Sequence, residues 1–315
     1  MSKGLNVYCQ FCGQKITGRP KEFRHAEWPL GVSLRICVDC YRQKPRCWEC
    51  GLPMATDSPD GVCMTCSQSL RRCLACGEPV QSQHYEFDGL GPYCQRCYRK
   101  RPPCDICGAP LTNEQWRLSD GRVTCAHCHA TAIYLPDLAV ALYQEMTTLL
   151  SAQLGLSLNI PTGLALVDRN QLREVIRQQQ KALAQEGSAS QTLVGTNAAL
   201  EVEAHRTLGL YARRGMRRGI YIQTGLPRML FLQVTAHEFA HAWQGENCPM
   251  LQAGLVHEGF AEWVAYRLLG FYGYGRGQER MLARQDLYGQ GLRWALDQET
   301  ACGAQGLIEA CRRAV

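Results

Sequence analysis

From residue 136 onward the apolar positions fall into regular periods. In PDLAVALYQEMTTLLSAQLG, Leu138, Leu142, Met146, Leu149 and Leu150 recur at helical spacing, with Pro136 at the start and Gly155 after the end. The short apolar run LALVD, Leu164–Asp168, predicts a strand, and RNQLREVIRQQQKALAQEG predicts a second helix that Gly187 stops. TLVGTN and the segment around Glu201–Leu210 read as strands or loops. GIYIQTGLP, Gly219–Pro227, is a β-rich strand ended by Gly-Leu-Pro. Two further helices are expected at about Arg228–Gln244 and Leu255–Leu269, so the order is helix, strand, helix, strands, helix, helix. The Gly-rich run GFYGYGRGQER reads as a surface loop after the last of these.

Before residue 130 a different pattern rules. Sixteen of the 19 cysteines lie between Cys9 and Cys128, in eight C-x-x-C pairs: Cys9/Cys12, Cys37/Cys40, Cys47/Cys50, Cys63/Cys66, Cys73/Cys76, Cys94/Cys97, Cys104/Cys107 and Cys125/Cys128. Each C-x-x-C turn aims two thiolates at one point, and two turns complete a tetrahedron about zinc. CGQKI, CGLPM, CGEPV and CGAPL close the first pair of each unit, and six residues separate one unit from the next. The pattern predicts four tandem zinc ribbons with four structural zinc ions. Cross-braced ligation, in which alternate pairs share an ion, is the rival. His25, His84, His127 and His129 could substitute as ligands, but the cysteines alone close four sites, so these are read as ordinary surface or packing residues. Each ribbon spans about 30 residues, too few to bury an adequate core, so zinc supplies the folding free energy. The domain boundary is placed at 130: ribbons in 1–130, a second domain in 131–315.

Composition narrows the function classes. The 315 residues are 46% hydrophobic and 20% charged, which suits a folded protein of two domains. No run of 18 apolar residues exists, so no membrane span is expected. The first residues, MSKGLNVYCQFCG, lack an apolar export segment, and a cytoplasmic protein with metal-bound rather than disulfide-bonded cysteines is expected. The formal charge of +6 would suit nucleic acid. Sixteen thiolates and four zinc dications take it to −2, however, and a fifth ion brings it to zero, so no nucleic-acid partner is expected.

The chemistry lies in TAHEFAHAW, Thr235–Trp243. On a helix, His237 and His241 are about 40° apart and project from one face, where two imidazoles can grip one zinc ion. Glu238, beside the first ligand, can act as general base on a zinc-bound water and then hand the proton to the leaving amine. A metzincin would need Gly and His where Gln244 and Asn247 stand. In LVHEGFAEWVAYRLL, Glu258 follows His241 by 17 residues and is the expected third ligand, with Glu262 one turn on holding a metal histidine by its free N–H. His257 points about 100° away from Glu258 and is read as an outer group. Tyr266, Tyr272, Tyr274, His205 and Arg228 are candidate oxyanion donors. Strand Gly219–Thr224 is a candidate edge for an extended substrate. Trp243 is read as packing, and Cys248, Cys302 and Cys311 as thiols without metal spacing.

Two resemblances add to this reading. CLACGEPVQSQHYEFDGLGPYCQRCY, Cys73–Tyr98, is similar to the second half of a LIM domain, a protein-binding module, although the array lacks the first-half His ligand and the two-residue junction of a full LIM. The Glu-Gly-Phe-Ala setting of Glu258 looks like the ligand helix of gluzincin aminopeptidases. GLPRMLFLQVTAHEFAHAW, followed by VHEGFAEWVAYRLL and preceded by HRTLGLY, resembles the peptidase domain of the LIM-containing, ubiquitin-activated peptidases that restrain organ growth in plants. The likeness covers about residues 200–270. It departs at His257-Glu258-Gly259, where the family has Glu-Glu-Gly, and in having no ubiquitin-interacting motifs ahead of Cys9; the short all-cysteine ribbons suggest a prokaryotic relative. The resemblance implies an α+β chain: LIM-like ribbons followed by a mainly helical gluzincin peptidase domain with a small sheet. It implies one catalytic zinc, a protein or peptide substrate, and ubiquitin or a ubiquitin-like protein as activator. The alternative is a catalytically latent zinc-ribbon scaffold for protein interactions.

Overall fold

The computed structural model describes residues 7–56, 58, 61–80, 84–87, 90–185, 207–214, 217–248 and 253–313. The architecture is mixed helix and strand. The chain divides into two compact units, Met1–Pro103 with Ala109–Asn113, and Cys104–Gly108 with Glu114–Val315.

The first unit repeats one local design three times. A C-x-x-C turn closes on a glycine with φ between 70° and 75° (Gly13, Gly51, Gly77), a left-handed position that glycine adopts without strain. The second pair starts a short helix: α1 (Val38–Gln43), α2 (Met64–Ser69) and α3 (Gln95–Lys100). Cys37, Cys63 and Cys94 cap these helices, their sulfurs accepting the amides of Cys40, Cys66 and Cys97. Antiparallel pairs link the halves, β1 (Lys21–Phe23) with β2 (Leu34–Ile36) and β3 (His84–Glu86) with β4 (Pro92–Cys94). The buried clusters are small: Cys9, Ile36 and Cys40 in one, Cys47, Met54, Val62 and Cys66 in another.

The second unit begins inside the fourth ribbon, not at residue 130. That ribbon consists of β5 (Gln115–Arg117), β6 (Val123–Cys125) and α4 (Ala126–Ala130). Arg122 explains the placement. It is 1% exposed, bonds Asp120 at 2.8 Å, and donates to the Thr224 carbonyl at 2.8 Å. Asp120 in turn accepts the Arg169 amide, and Arg169 reaches Asp105. These buried polar contacts tie the ribbon to the body that follows it.

That body starts with β7 (Ala132–Ile133) and α5 (Pro136–Leu154), which buries Ala139, Leu142, Met146, Leu150 and Leu154 as one stripe and ends at Gly155 in the left-handed region. β8 (Thr162–Val167) and α6 (Arg169–Gln185) follow. TLVGTN, Gly187 and His205 lie outside the described residues. β9 (Gly209–Arg214) and β10 (Arg217–Gln223) form a hairpin, and the sheet order is β8–β10–β9. β10 is parallel to β8 and antiparallel to β9. The strand at 219–224 is therefore central, and the edge beside the helices belongs to β9. β11 (Leu226–Pro227) pairs with β7 and leads into α7 (Arg228–Asn247). α7 is buried on nearly every side, which marks a central helix. α8 (Gly254–Phe271) packs on it. The Gly-rich run is not a loop throughout: α9 (Gly275–Ala283) occupies most of it and packs on α8, Gly277 allowing close approach to Leu269. The chain closes with α10 (Leu287–Arg313), bent at Gly303. No helix among the described residues is long and apolar enough to cross a membrane.

α8 and α10 meet at two glycines. A Cβ on Gly259 would lie 2.6 Å from the Gly291 carbonyl oxygen. Gly259→Ala should cost about 1–3 kcal/mol of overpacking. Thermal unfolding of the zinc-loaded protein checks this; an unchanged Tm would show that the helix crossing has room to relax.

Candidate metal centres

In each ribbon the cysteines of consecutive pairs converge, so ligation is sequential rather than cross-braced. The groups Cys9, Cys12, Cys37, Cys40; Cys73, Cys76, Cys94, Cys97; and Cys104, Cys107, Cys125, Cys128 each have their sulfurs within 4.8 Å of one another. The Sγ···Sγ separations Cys12–Cys37, Cys76–Cys94 and Cys107–Cys125 are 3.9, 3.8 and 3.8 Å. A tetrahedron with Zn–S of about 2.3 Å has an edge of about 3.8 Å, so the donors fit zinc. Burial opposes ionisation of the first cysteine of each turn. Backbone amides outweigh it, lowering Cys9 to about 6 and Cys47 and Cys73 to about 7.

The second ribbon differs. Cys50 and Cys63 lie 3.8 Å apart, Cys47 bonds Cys50, and His25 from the first ribbon brings Nε2 to 3.2 Å from Cys66 Sγ. His25, Cys50, Cys63 and Cys66 form a four-donor group, so His25 is not the ordinary surface residue expected from its sequence. Its Nδ1 accepts the Glu27 amide, which leaves the proton on Nε2 and makes His25 a hydrogen-bond donor to the Cys66 sulfur. Trp28 fastens the same loop by donating to Thr65 Oγ1 at 3.1 Å. The other histidines lie apart from the sulfurs: His84 pairs with Glu86, His127 is exposed, and His129 bonds the Tyr134 hydroxyl and stacks on Trp116.

A fifth donor group sits between α7 and α8. His237 Nε2 and His241 Nε2 are 3.0 Å apart, and Glu258 Oε2 lies 3.4 and 3.6 Å from them. Zinc with N and O ligands at about 2.0–2.1 Å has a tetrahedral edge of about 3.3 Å, which these distances bracket. Glu258 Oε2 is buried with no hydrogen-bond partner among the described residues, as a free ligand atom would be. Burial pushes the Glu258 carboxyl up, but the imidazoles of His237, His241 and His257 close beside it hold it well below the usual carboxylate range. Burial likewise opposes charge on His237, yet Glu258 and Glu262 raise it well above its ordinary value. A site that stabilises positive charge this strongly is one that suits a cation.

The histidine rings are held from behind. Glu262 Oε1 lies 3.3 Å from His237 Nδ1, and Arg284 reaches the same oxygen at 3.4 Å. Gln244 Oε1 accepts from His241 Nδ1 at 3.0 Å, and its amide donates to the His257 carbonyl. His257 is not turned away: its ring stacks on His241 at 4.4 Å, and its Nδ1 is 3.5 Å from Glu258 Oε1. Gln244 was legible as the i+3 neighbour of His241. Arg284 and Tyr288, whose ring is 5.9 Å from His237, carry no sequence signal because they arrive from another helix.

Glu238 is 8% exposed and accepts the Tyr211 amide at 2.7 Å. Gly209 makes this possible, since a Cβ there would meet Val234, Ile222 and Glu238 within 3.0 Å. The proposed oxyanion donors sit elsewhere in their contacts. Tyr272 donates to Glu145 at 2.8 Å, Arg228 lies over its ring, and the Tyr274 ring lies tilted beside it. Tyr266 is part-buried against the core. Trp243 is buried against Phe260. Cys248 and Cys311 meet at 3.5 Å, with Gln244 beside Cys311, while Cys302 bonds its own helix. A recess of about 600 Å³ lined by Tyr143, Thr147, Leu158 and Thr162 contains none of the donors.

Among known families, the zinc-finger of RNA-polymerase I-specific TFIIB, Rrn7, matches residues 98–132, a stretch that holds the fourth ribbon and little else. Comparison with curated proteins and with solved structures returns no significant match.

Metal analysis of the purified protein should give about five zinc ions per chain, one for each donor group. Gln244→Leu should weaken retention of one of the five by about 10- to 100-fold against a competing chelator, because it frees His241 Nδ1. Loss of all five together would show a folding defect instead.

Proposed function

We propose that the chain is a zinc-dependent endopeptidase of the gluzincin type, akin to the LIM-containing peptidases it resembles, with the ribbons as protein-binding elements. The observation that carries this reading is the convergence of His237, His241 and Glu258 with Glu238 alongside. A purely structural zinc site is closed by four protein ligands and has no use for that carboxylate. Three protein donors leave one position open.

Bound there, zinc would supply Lewis acidity, lowering the pKa of water and polarising a peptide carbonyl. The chain's own groups do the rest. Gln244 bonds His241 Nδ1 and Glu262 lies 3.3 Å behind His237 Nδ1, an arrangement that favours both Nε2 lone pairs facing forward. Arg284 orients Glu262. The Tyr211 amide fixes one oxygen of Glu238, which leaves the other to take a proton from the attacking water and return it to the leaving amine. The buried setting strengthens each of these interactions. The family resemblance adds a ubiquitin-like protein as the expected activator.

Glu238→Gln should reduce cleavage of an unfolded, casein-like protein by about 10²–10⁴-fold while the zinc content stays unchanged. Equal cleavage by the two proteins would remove Glu238 from the chemistry and with it this mechanism.

A further inference from the structure

The edge strand beside Glu238 ends in a concentration of positive charge. In the β9–β10 hairpin, Arg213 stands directly across from Arg218, and Arg214 across from Arg217. Like charges placed opposite one another on paired strands destabilise the pair. Arg213 and Arg217 are exposed, and among the described residues no carboxylate forms an ion pair with either. Arg218 is half-buried and bonds the Tyr211 hydroxyl. Glu246, an acid whose charge reaches the Tyr211 hydroxyl, is committed to the amides of Asn159 and Ile160 at 2.8 and 3.0 Å. The whole metallated chain, these arginines included, sums to about zero, so this hairpin is a local excess rather than part of a basic surface.

The backbone beside it suits an extended chain. The Leu208 carbonyl bonds β10 through Gln223, while the Tyr211 amide turns outward to Glu238. Alternate residues of an antiparallel strand face the same way, so the Tyr211 carbonyl and the Arg213 amide also face away from β10. Among the described residues, β9 pairs with β10 alone. A peptide added antiparallel to β9, the more stable pairing, passes Arg213 before it reaches Glu238.

We infer that β9 and its arginine hairpin select an acidic substrate: an extended peptide with carboxylates on the N-terminal side of the bond to be cut. This deepens the peptidase reading and rests on it for the word substrate. The binding itself is measurable without any cleavage.

The test uses zinc-loaded full-length Glu238→Gln, in which the new side-chain oxygen can still accept the Tyr211 amide. Two short fluorescent peptides share an apolar centre and carry either glutamates or lysines N-terminal to it. Anisotropy should show the glutamate peptide bound about tenfold more tightly, the effect of two or three exposed ion pairs, with the difference shrinking as salt is added. Adding Arg213→Glu and Arg217→Glu should abolish the preference, and Arg213→Gln with Arg217→Gln should leave it between the two. Equal affinity for both peptides, or a preference that survives charge reversal in a protein with unchanged Tm, overturns the inference. Acidic binding without cleavage by the wild-type chain, with ubiquitin present as well as absent, would overturn the peptidase reading and leave this one standing.

Discussion

Two imidazole nitrogens 3.0 Å apart with a carboxylate oxygen 3.4 Å away are three lone-pair donors aimed at one point. Such an arrangement is unfavourable unless positive charge lies among them, and much of the second unit is arranged to hold it. α7 provides both imidazoles, α8 the carboxylate, and Gly259 against Gly291 lets α10 press α8 into place. Glu262, Gln244 and Arg284 bond the far sides of the rings or of each other. Rotation of His241 would break a hydrogen bond in a buried setting, where that loss is costly, and rotation of His237 would forfeit its 3.3 Å contact with Glu262. The supporting contacts thus fix where the three donors stand, which is what preorganisation means in energetic terms.

The ribbons solve a different problem with the same chemistry. Their apolar clusters contain one or two aliphatic side chains besides the cysteines, far less than a domain needs to fold unaided. Amide donors favour thiolate over thiol at Cys9 and Cys73, the first cysteines of their turns, so these sulfurs are ready to bind a cation. His25 and Trp28 extend this economy by tying the first ribbon to the second through a thiolate and a threonine hydroxyl. In the first unit, metal ligation and a few polar contacts take over the role that a hydrophobic core has in the second.

Local chemistry was the part of this molecule that its sequence expressed well. C-x-x-C spacing implies converging sulfurs because the turn itself enforces it, and His237 with His241 share a helical face for the same reason. α5 was legible from its apolar stripe. What depends on distant partners was not. Nothing in the spacing singles out Arg122, and only its burial and its bond to Thr224 reveal why the unit boundary falls inside the fourth ribbon. The strand at 219–224 is central because β9 takes the edge, a matter of pairing that alternation cannot encode. The Gly-rich run folds as α9 because packing against α8 outweighs weak intrinsic propensity. His25 is separated from Cys66 by 41 positions, so its role could not be read from spacing.

The first turn of α7 has an unexpected foundation. The Arg228 amide bonds the Thr131 carbonyl at 2.8 Å, and Gly225 bonds Ile133, so the helix that carries His237 and His241 starts from the residues that leave Cys128. The two coordination spheres are thus mounted in series on one continuous frame. A chain severed at 130 would deprive that helix of its starter, and a fragment that keeps the second unit whole would have to begin ahead of Cys104. In this protein the last finger is masonry, not ornament.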